Sequence, residues 1–478
     1  TAVLLPSAAR LPGRYQVPLP IPPVKKPVSR SAALTRYEIT QRSADVELLP
    51  GTRTTIMGYD GIFPGPTIEA RRGERVVIKH TNELPVPTAV HLHGGNTASH
   101  SDGFPVDLVL PPGWNHDHGM SGDVSHRVRE YHYDHDQQAT TLWYHDHRMD
   151  FTGPQVWRGL AGFHLIRDEV EDRLPLPHGD REIPLMITDR AFEPDGSLRY
   201  PARDPKLIND PGVTARYASG VLGDVILVNG APWPELEVDA VRYRFRILNA
   251  SNARRYRLQL DPPPPAGKGF TVIGSDGGLL AAPVRQDSIT TAAGERHDVI
   301  IDFSAYPVGA EVVLTNRLGS ASTSTVMRFR VVRKAADDSR IPAALAELEP
   351  LNTAGAVRRE WRFTRKSSGG MAMWAINGKF FDPARMDARP ELGRTEIWRF
   401  YTDLHHPVHV HLSPFRVISR DGKRPEPAEA GWKDTLDLRP TEYADVAVRF
   451  TNHRGRYLMH CHNLEHEDMG MMSAFEVV

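Results

Sequence analysis

Residues 457–471 read YLMHCHNLEHEDMGM and set the chain's only cysteine, Cys461, between His460 and His462, with His466, Met469, Met471 and Met472 close behind. A thiolate, two imidazoles and a distant thioether are the ligand set of an electron-transfer copper. Cys461 and His466 supply half of that set, and the residues alone leave three methionines open for the thioether. A lone cysteine is ordinarily a small buried hydrophobe, but flanking histidines are out of place in that role. If 456–462 is a strand, side chains alternate across it, so His460 and His462 share one face and Cys461 takes the other. One short strand can then serve two metal sites back to back.

The outward pair needs partners, and three further clusters offer them: His91 and His93 in VHLHGG, His145 and His147 in WYHDH, and His406, His409 and His411 in HPVHVH. Each HxH pair lies on one strand face. One such pair arises easily on a half-exposed polar strand; four clusters, two toward each end of the chain, predict one polynuclear metal site that draws on both ends. His405 stands beside His406, but the spacing to His409 and His411 favours His406. A looser group, His116, His118, His126, His132 and His135, reads as solvated loop histidines ahead of an accessory metal site. Met371 and Met373 in GGMAMW read as packing residues.

Strands must carry these residues. From position 36 the sequence runs in short β-branched and aromatic stretches, such as RVVIKHTN, YRFRILNAS and TEIWRFYTD, divided by Gly, Pro, Asn and Asp turns. That pattern predicts all-β sandwiches. Long helical periodicity is absent, and RIPAALAEL near Ile341 predicts one short helix in a connector. A repeat is visible in the turns: Gly61, Asn229–Gly230 and Asn377–Gly378 each lead through an aromatic and a proline into a paired strand segment ending at Asn82, Asn249 or Asp403. Three copies predict three homologous sandwiches, at 31–170, 171–338 and 339–478. The proline-rich 1–30 is expected to be an extended strap across the surface.

Composition narrows the class. At 478 residues the chain is long enough for about three domains, and a formal net charge of −1 with dispersed Lys and Arg gives no basic footprint for nucleic acid or anionic membrane. One cysteine rules out an intrachain disulfide. No apolar run is long enough to span a bilayer. The opening at Thr1, without a charged and then apolar leader, fits a trimmed mature form, and a secreted, periplasmic, cell-surface or spore-associated setting is expected.

Over its whole length the chain resembles the three-domain multicopper oxidases, in the branch of spore-coat laccases, bilirubin oxidases and phenoxazinone synthases. The stretches that carry the resemblance include GYDGIFPGPTIEARRGE, HLHGGNTASHSDGFP, LWYHDHRM, YRFRILNAS, IGSDGGLL, ERHDVIIDF, GWKDT and HCHNLEHEDMGMM. It implies three consecutive cupredoxin-like Greek-key β-sandwiches and four copper ions. His406, Cys461, His466 and Met471 match the type 1 ligands, with Met471 singled out by its spacing from His466 in the family. His91 and His409 match the type 2 ligands, and His93, His145, His147, His411, His460 and His462 those of the type 3 pair. The implied activity takes single electrons from phenolic, aminophenolic or tetrapyrrole-like donors at the His466 edge, passes them through Cys461 to the cluster, and reduces dioxygen to water. Asp102 and Glu467 match the positions of proton-handling acids. The middle sandwich, without a ligand motif, reads as spacer and wall. A Cu(I) or Mn(II) oxidase is the alternative and would need methionine or carboxylate ligands near the type 1 copper. The complete ligand set argues against a copper-free structural relative, and the paired HxH motifs at both ends argue against a copper nitrite reductase.

Overall fold

A computed structural model describes residues 1–478, and it is built almost wholly from strands. Six main sheets pair off along the chain, of five and four strands, then eight and five, then six and five. Strands between sandwiches, such as Thr140–Asp146 and His406–Val410, are buried on both faces, whereas outer strands bury one face by alternation. In Thr35–Val46, for example, Tyr37, Ile39 and Gln41 point inward while Glu38 is exposed.

The repeat read in the turns is a repeat of topology. In each sandwich the strand that follows the glycine turn and proline joins one sheet as a parallel partner, and the next strand crosses to the facing sheet. The first of these pairings are Gly65–Arg71 with Ala161–Arg167, Glu235–Asp239 with Thr325–Arg333, and Met386–Ala388 with Met472–Val477. The second are Val76–Asn82 with Thr35–Val46, Arg242–Asn249 with Glu182–Phe192, and Thr395–Thr402 with Val357–Ser368. The first two crossing strands end at Asn82 and Asn249, and the third ends at Thr402, one residue before Asp403.

The proline-rich segment is extended and ties two sandwiches together. Val3–Leu5 pairs in parallel with Val221–Gly223, Pro18 bridges to Glu235 and Val24 to Thr67. Leu5 and Leu19 are buried while Ile21, Val24 and Val28 stay exposed. The short helix expected near Ile341 does not form: 341–349 is irregular. Leu345 is buried there beside Leu176 and Ile273, and its amide donates to the Ala281 carbonyl at 2.8 Å, so packing on the middle sandwich outweighs the weak helical preference of so short a segment. Among the few helices, Leu464–Asp468 matters most, because it carries His466; Asn463 caps it by accepting from the His466 amide. No helix is long and apolar enough to cross a membrane.

Candidate metal centres

The strand Gly455–Cys461 lies beside His406–Val410, which places Val408 opposite Cys461 and His409 opposite His460. Period-2 alternation therefore sorts the strand side chains: His406 and Cys461 turn into the third sandwich and His409 and His460 turn out of it, and His411 and His462, each one residue past a strand end, join the outward histidines. In the first sandwich Val90–His93 pairs with Thr140–Asp146, setting His145 opposite His91 and Trp143 opposite His93. The two histidine faces meet.

At that meeting eight imidazoles are buried to 1 % exposure or less. His93, His145 and His462 form one group, and His147, His411 and His460 another, with the ligand atoms of each group within 4.8 Å of one another. His91 Nε2 lies 3.3 Å from His409 Nε2. Stacking fixes the rings: His91 on His411 and His93 on His409, with centroids 3.8 and 3.6 Å apart.

Most of these rings are held by one nitrogen and offer the other. Nδ1 meets the carbonyl of Asp102 for His91, of Asp146 for His145, of Asp434 for His409 and of Cys461 for His460, and the Asp102 carboxylate for His411, all at 2.7 to 2.9 Å. Such contacts fix the tautomer of a metal-binding histidine. Nδ1 of His93 and His147, Nε2 of His145 and His411, and both nitrogens of His462 have no hydrogen-bond partner in the protein. Burial pushes His93, His145, His147, His409, His411 and His462 well below the usual histidine range, and His460 to about 3. A dry cluster of neutral imidazoles with unused lone pairs is costly by itself and suits a bound cation. The residues fit copper.

Two acids lie against this cluster. Asp102 Oδ2 is 2.7 Å from His411 Nδ1, and its carbonyl serves His91. The Glu467 carboxylate is 3.0 Å from His460 Nδ1, out of line because that N–H is turned to the Cys461 carbonyl, and 3.9 Å from His147 Nδ1. Burial raises Asp102 and pushes Glu467 up to about 8.

On the other face of the strand, Cys461 Sγ lies 3.5 Å from His406 Nδ1 and 3.7 Å from His466 Nδ1, and those two nitrogens are 3.1 Å apart. The outer nitrogens are fixed, His406 Nε2 on Asp403 and His466 Nε2 on the Ser219 carbonyl, each at 2.9 Å. Burial pushes the Cys461 thiol well above its ordinary value, so the thiolate form calls for a metal ion beside it. Met471 is fully buried in the same apolar cluster as Cys461, and its carbonyl accepts from the Cys461 amide at 3.1 Å. Met469 belongs to the same cluster but its sulfur lies against the Gly212 turn, and Met472 packs in a separate cluster with Phe104 and Leu458.

A cavity of about 450 Å³ opens beside His466, with Trp374, Leu222, Leu318, Leu404 and Asn463 in its walls and no carboxylate or thioether among its lining side chains. Trp374 stacks on the His466 ring at 3.7 Å. Glu465 anchors the helix of His466, accepting from the Val221 amide, the Tyr200 hydroxyl and the Asn252 amide at 2.7 to 2.9 Å.

His405 also lines this cavity and lies outside the sulfur group, as the spacing indicated. The looser histidines do not converge: His118 pairs with Asp150, His135 with His164, and His126 and His132 are exposed. Met371 and Met373 pack against the apolar core of the third sandwich.

Sequence reasoning missed the part played by the middle sandwich. Besides Ser219 it supplies Arg296, whose guanidinium grips Asp434 beneath His93, and Gly294, where an added Cβ would lie 3.1 Å from His93 and 3.0 Å from His462 at a φ of +92°. Arg296 and Asp434 fall in ERHDVIIDF and GWKDT, two stretches of the resemblance, but nothing in their local pattern names the histidine they support.

Comparison with known proteins agrees with this geometry. Multicopper oxidase family models match residues 40–171, 200–332 and 352–478. A laccase of Bacillus subtilis is 38 % identical over 96 % of this chain and 97 % of its own length, and a bilirubin oxidase of Albifimbria verrucaria 33 % identical over 96 % and 81 %. The crystal structure of a multi-copper oxidase from Pediococcus acidilactici superposes with a TM-score of 0.85 at 32 % identity, covering 99 % of this chain and 93 % of that one. Three cupredoxin-like sandwiches, two histidine faces closed on each other and a sulfur site behind one of them thus make this chain a member of the multicopper oxidase family, a laccase-like oxidoreductase with four coppers and dioxygen as acceptor.

Proposed function

We propose that the donor is a phenol, aminophenol or tetrapyrrole-like molecule that docks in the cavity beside His466. The observation that carries this is the cavity itself: about 450 Å³, with Trp374, Leu222, Leu318 and Leu404 in its walls beside the polar Asn463, Arg254 and Arg255, and opening on the imidazole of His466. Planar, largely apolar rings suit such walls, and a Cu(I) or Mn(II) ion finds no thioether or carboxylate there. In this reading His406, Cys461, His466 and Met471 hold the type 1 copper, His91 and His409 the type 2 copper, and His93, His145, His147, His411, His460 and His462 the type 3 pair. When bound, copper accepts single electrons from the donor and reduces dioxygen to water.

The chain's own residues do the rest. Cys461 is joined through its backbone to His460 and His462, so a short covalent path links the two centres. Asp102 orients His411 and His91, and Glu467 lies beside His460 and His147; both acids stand where protons are needed when dioxygen becomes water. The same proposal divides the chain into a strap at 1–30 and sandwiches at 31–170, 171–338 and 339–478, a division supported by one pair of facing sheets in each range and by the spans of the family models. It also includes a secreted, periplasmic or surface setting, to be tested by fractionating a culture of the source.

A donor panel tests the proposal. Rates and KM for substituted phenols, aminophenols, bilirubin, Cu(I) and Mn(II) are compared on the copper-loaded protein. Faster turnover of either metal ion than of every organic donor contradicts it.

A further inference from the structure

Among the histidines of the cluster, His93 is turned the other way. His91, His145, His409, His411 and His460 are fixed through Nδ1, so Nε2 is free to face inward. His93 instead sets Nε2 on the Asp434 carboxylate at 3.0 Å and the Thr435 hydroxyl at 3.1 Å, and its Nδ1 is the nitrogen without a partner. A neutral imidazole carries one N–H, and an acceptor at Nε2 decides that the proton sits there. We propose that Arg296, from the middle sandwich, is a positioning residue of the cluster: by clamping Asp434 it sets which ring nitrogen His93 presents to copper. This rests on the reading of His93 as a ligand.

The clamp is complete. Arg296 Nη1 and Nη2 donate to the two oxygens of Asp434 at 2.8 and 2.6 Å. Its other N–H groups reach three carbonyls, Thr141 at 2.8 Å, Gly294 at 3.0 Å and Asp276 at 3.1 Å. All five donors of the guanidinium are used, and they join residues of all three sandwiches, because Thr141 belongs to the first and Asp434 to the third. The Thr435 hydroxyl also donates to Asp434 Oδ1 at 2.9 Å. From the first sandwich Gly94 closes over the pair: at its φ of +93° an added Cβ would lie 2.6 Å from Arg296 Nη2 and 2.8 Å from Asp434 Oδ2. The carboxylate therefore has one position, and from it one oxygen faces His93. Beside it Lys433 balances Asp276 and Glu295, at 2.9 and 2.6 Å. The middle sandwich thus dictates ligand chemistry while donating no ligand.

Lysine cannot copy this grip, since an ammonium is a point donor where the guanidinium is a planar fork. The test compares Arg296→Lys, Asp434→Asn and His93→Ala with the parent chain, each copper-loaded. On one preparation of each, four quantities are measured: the blue band of the sulfur site, the near-ultraviolet absorption of the coupled copper pair, the electron paramagnetic resonance of the isolated copper, and copper retained on dialysis against a chelator. The blue band reports a folded third sandwich. We expect His93→Ala to lose the coupled-pair absorption. Arg296→Lys and Asp434→Asn should keep the blue band, alter the pair's spectrum and weaken copper retention at the cluster by about 10- to 100-fold.

If either variant fails to fold, the other decides. Parent-like spectra and copper retention in the variant that folds overturn the inference, and so does a lowered melting temperature with those readouts unchanged, which would mark a structural brace. Retention of the coupled-pair absorption in His93→Ala overturns the ligand reading itself, and this inference with it.

Discussion

His147 Nε2 lies 3.1 Å from His460 Nε2, although 313 positions separate the two in sequence. One belongs to the first sandwich and the other to the third, so a metal held between them is a cross-link between the chain's two ends. Binding stabilises a fold in proportion to its preference for the folded over the unfolded state. Copper removal is therefore expected to lower the melting temperature. At about 2–4 °C per kcal/mol for domains of this size, even a few kcal/mol is readily seen by calorimetry. Equal melting curves for the copper-free and copper-loaded protein would contradict this.

Cys461→Ser is expected to abolish the blue thiolate-to-copper absorption and leave the protein folded, because a hydroxyl is a poor soft ligand in a buried site of the same shape. The desolvated hydroxyl costs about 1–3 kcal/mol. Absorption and circular dichroism on one sample check both halves, and a variant of normal blue intensity rules the ligand out.

Trp374 stacks on His466 and walls the cavity in which the proposal docks the donor. Trp374→Phe keeps an aromatic ring but loses the indole N–H that donates to the Ala218 carbonyl at 2.9 Å. KM for a bulky phenol should change by severalfold, with the blue band retained. Unchanged steady-state constants across the donor panel would remove Trp374 from the donor site.

His80, which belongs to neither histidine group, supplies a pH dependence of its own. It is buried between Tyr59 and Tyr131, with Nδ1 3.1 Å from the Gln41 amide, and burial pushes it from 6.5 to about 3. Between those values the unfolded chain binds a proton that the folded chain does not. Stability is thus full above pH 6.5 and lost as pH falls toward 3, by about 1.4 kcal/mol per unit while the difference lasts. His80→Gln keeps a polar partner for Gln41 and should flatten the fall in urea midpoint between pH 6 and 4, read beside the parent. Parallel curves would show that His80 does not titrate this way.

Much of this was legible because β structure has a period of two. The alternation of His460 and Cys461 put two sites on opposite faces of one strand, but that strand runs Gly455–Cys461 and stops one residue short of the expected end, so His462 reaches the histidine cluster from just beyond it. The HxH pairs likewise announced their faces. Which histidines would group was not legible from spacing: His145 joins His93 and His462 while His147 joins His411 and His460, an outcome of how two sandwiches dock. The clamp of Arg296 on Asp434 was invisible for the same reason, since a contact across 138 positions leaves no local pattern. The helix expected near Ile341 failed where tertiary packing of Leu345 overrode local preference.

The most direct test removes two histidines of the first sandwich that the proposal assigns to the type 3 pair and leaves the sulfur site alone. His93→Ala with His147→Ala changes residues 0 % exposed in the histidine cluster, on the far side of the strand from Cys461. Copper per chain, the blue band and oxygen uptake with a phenolic donor are measured on one preparation. Less copper, a blue band that persists and bleaches when donor is added, and no oxygen uptake are expected. Full oxygen uptake by the double variant would contradict this.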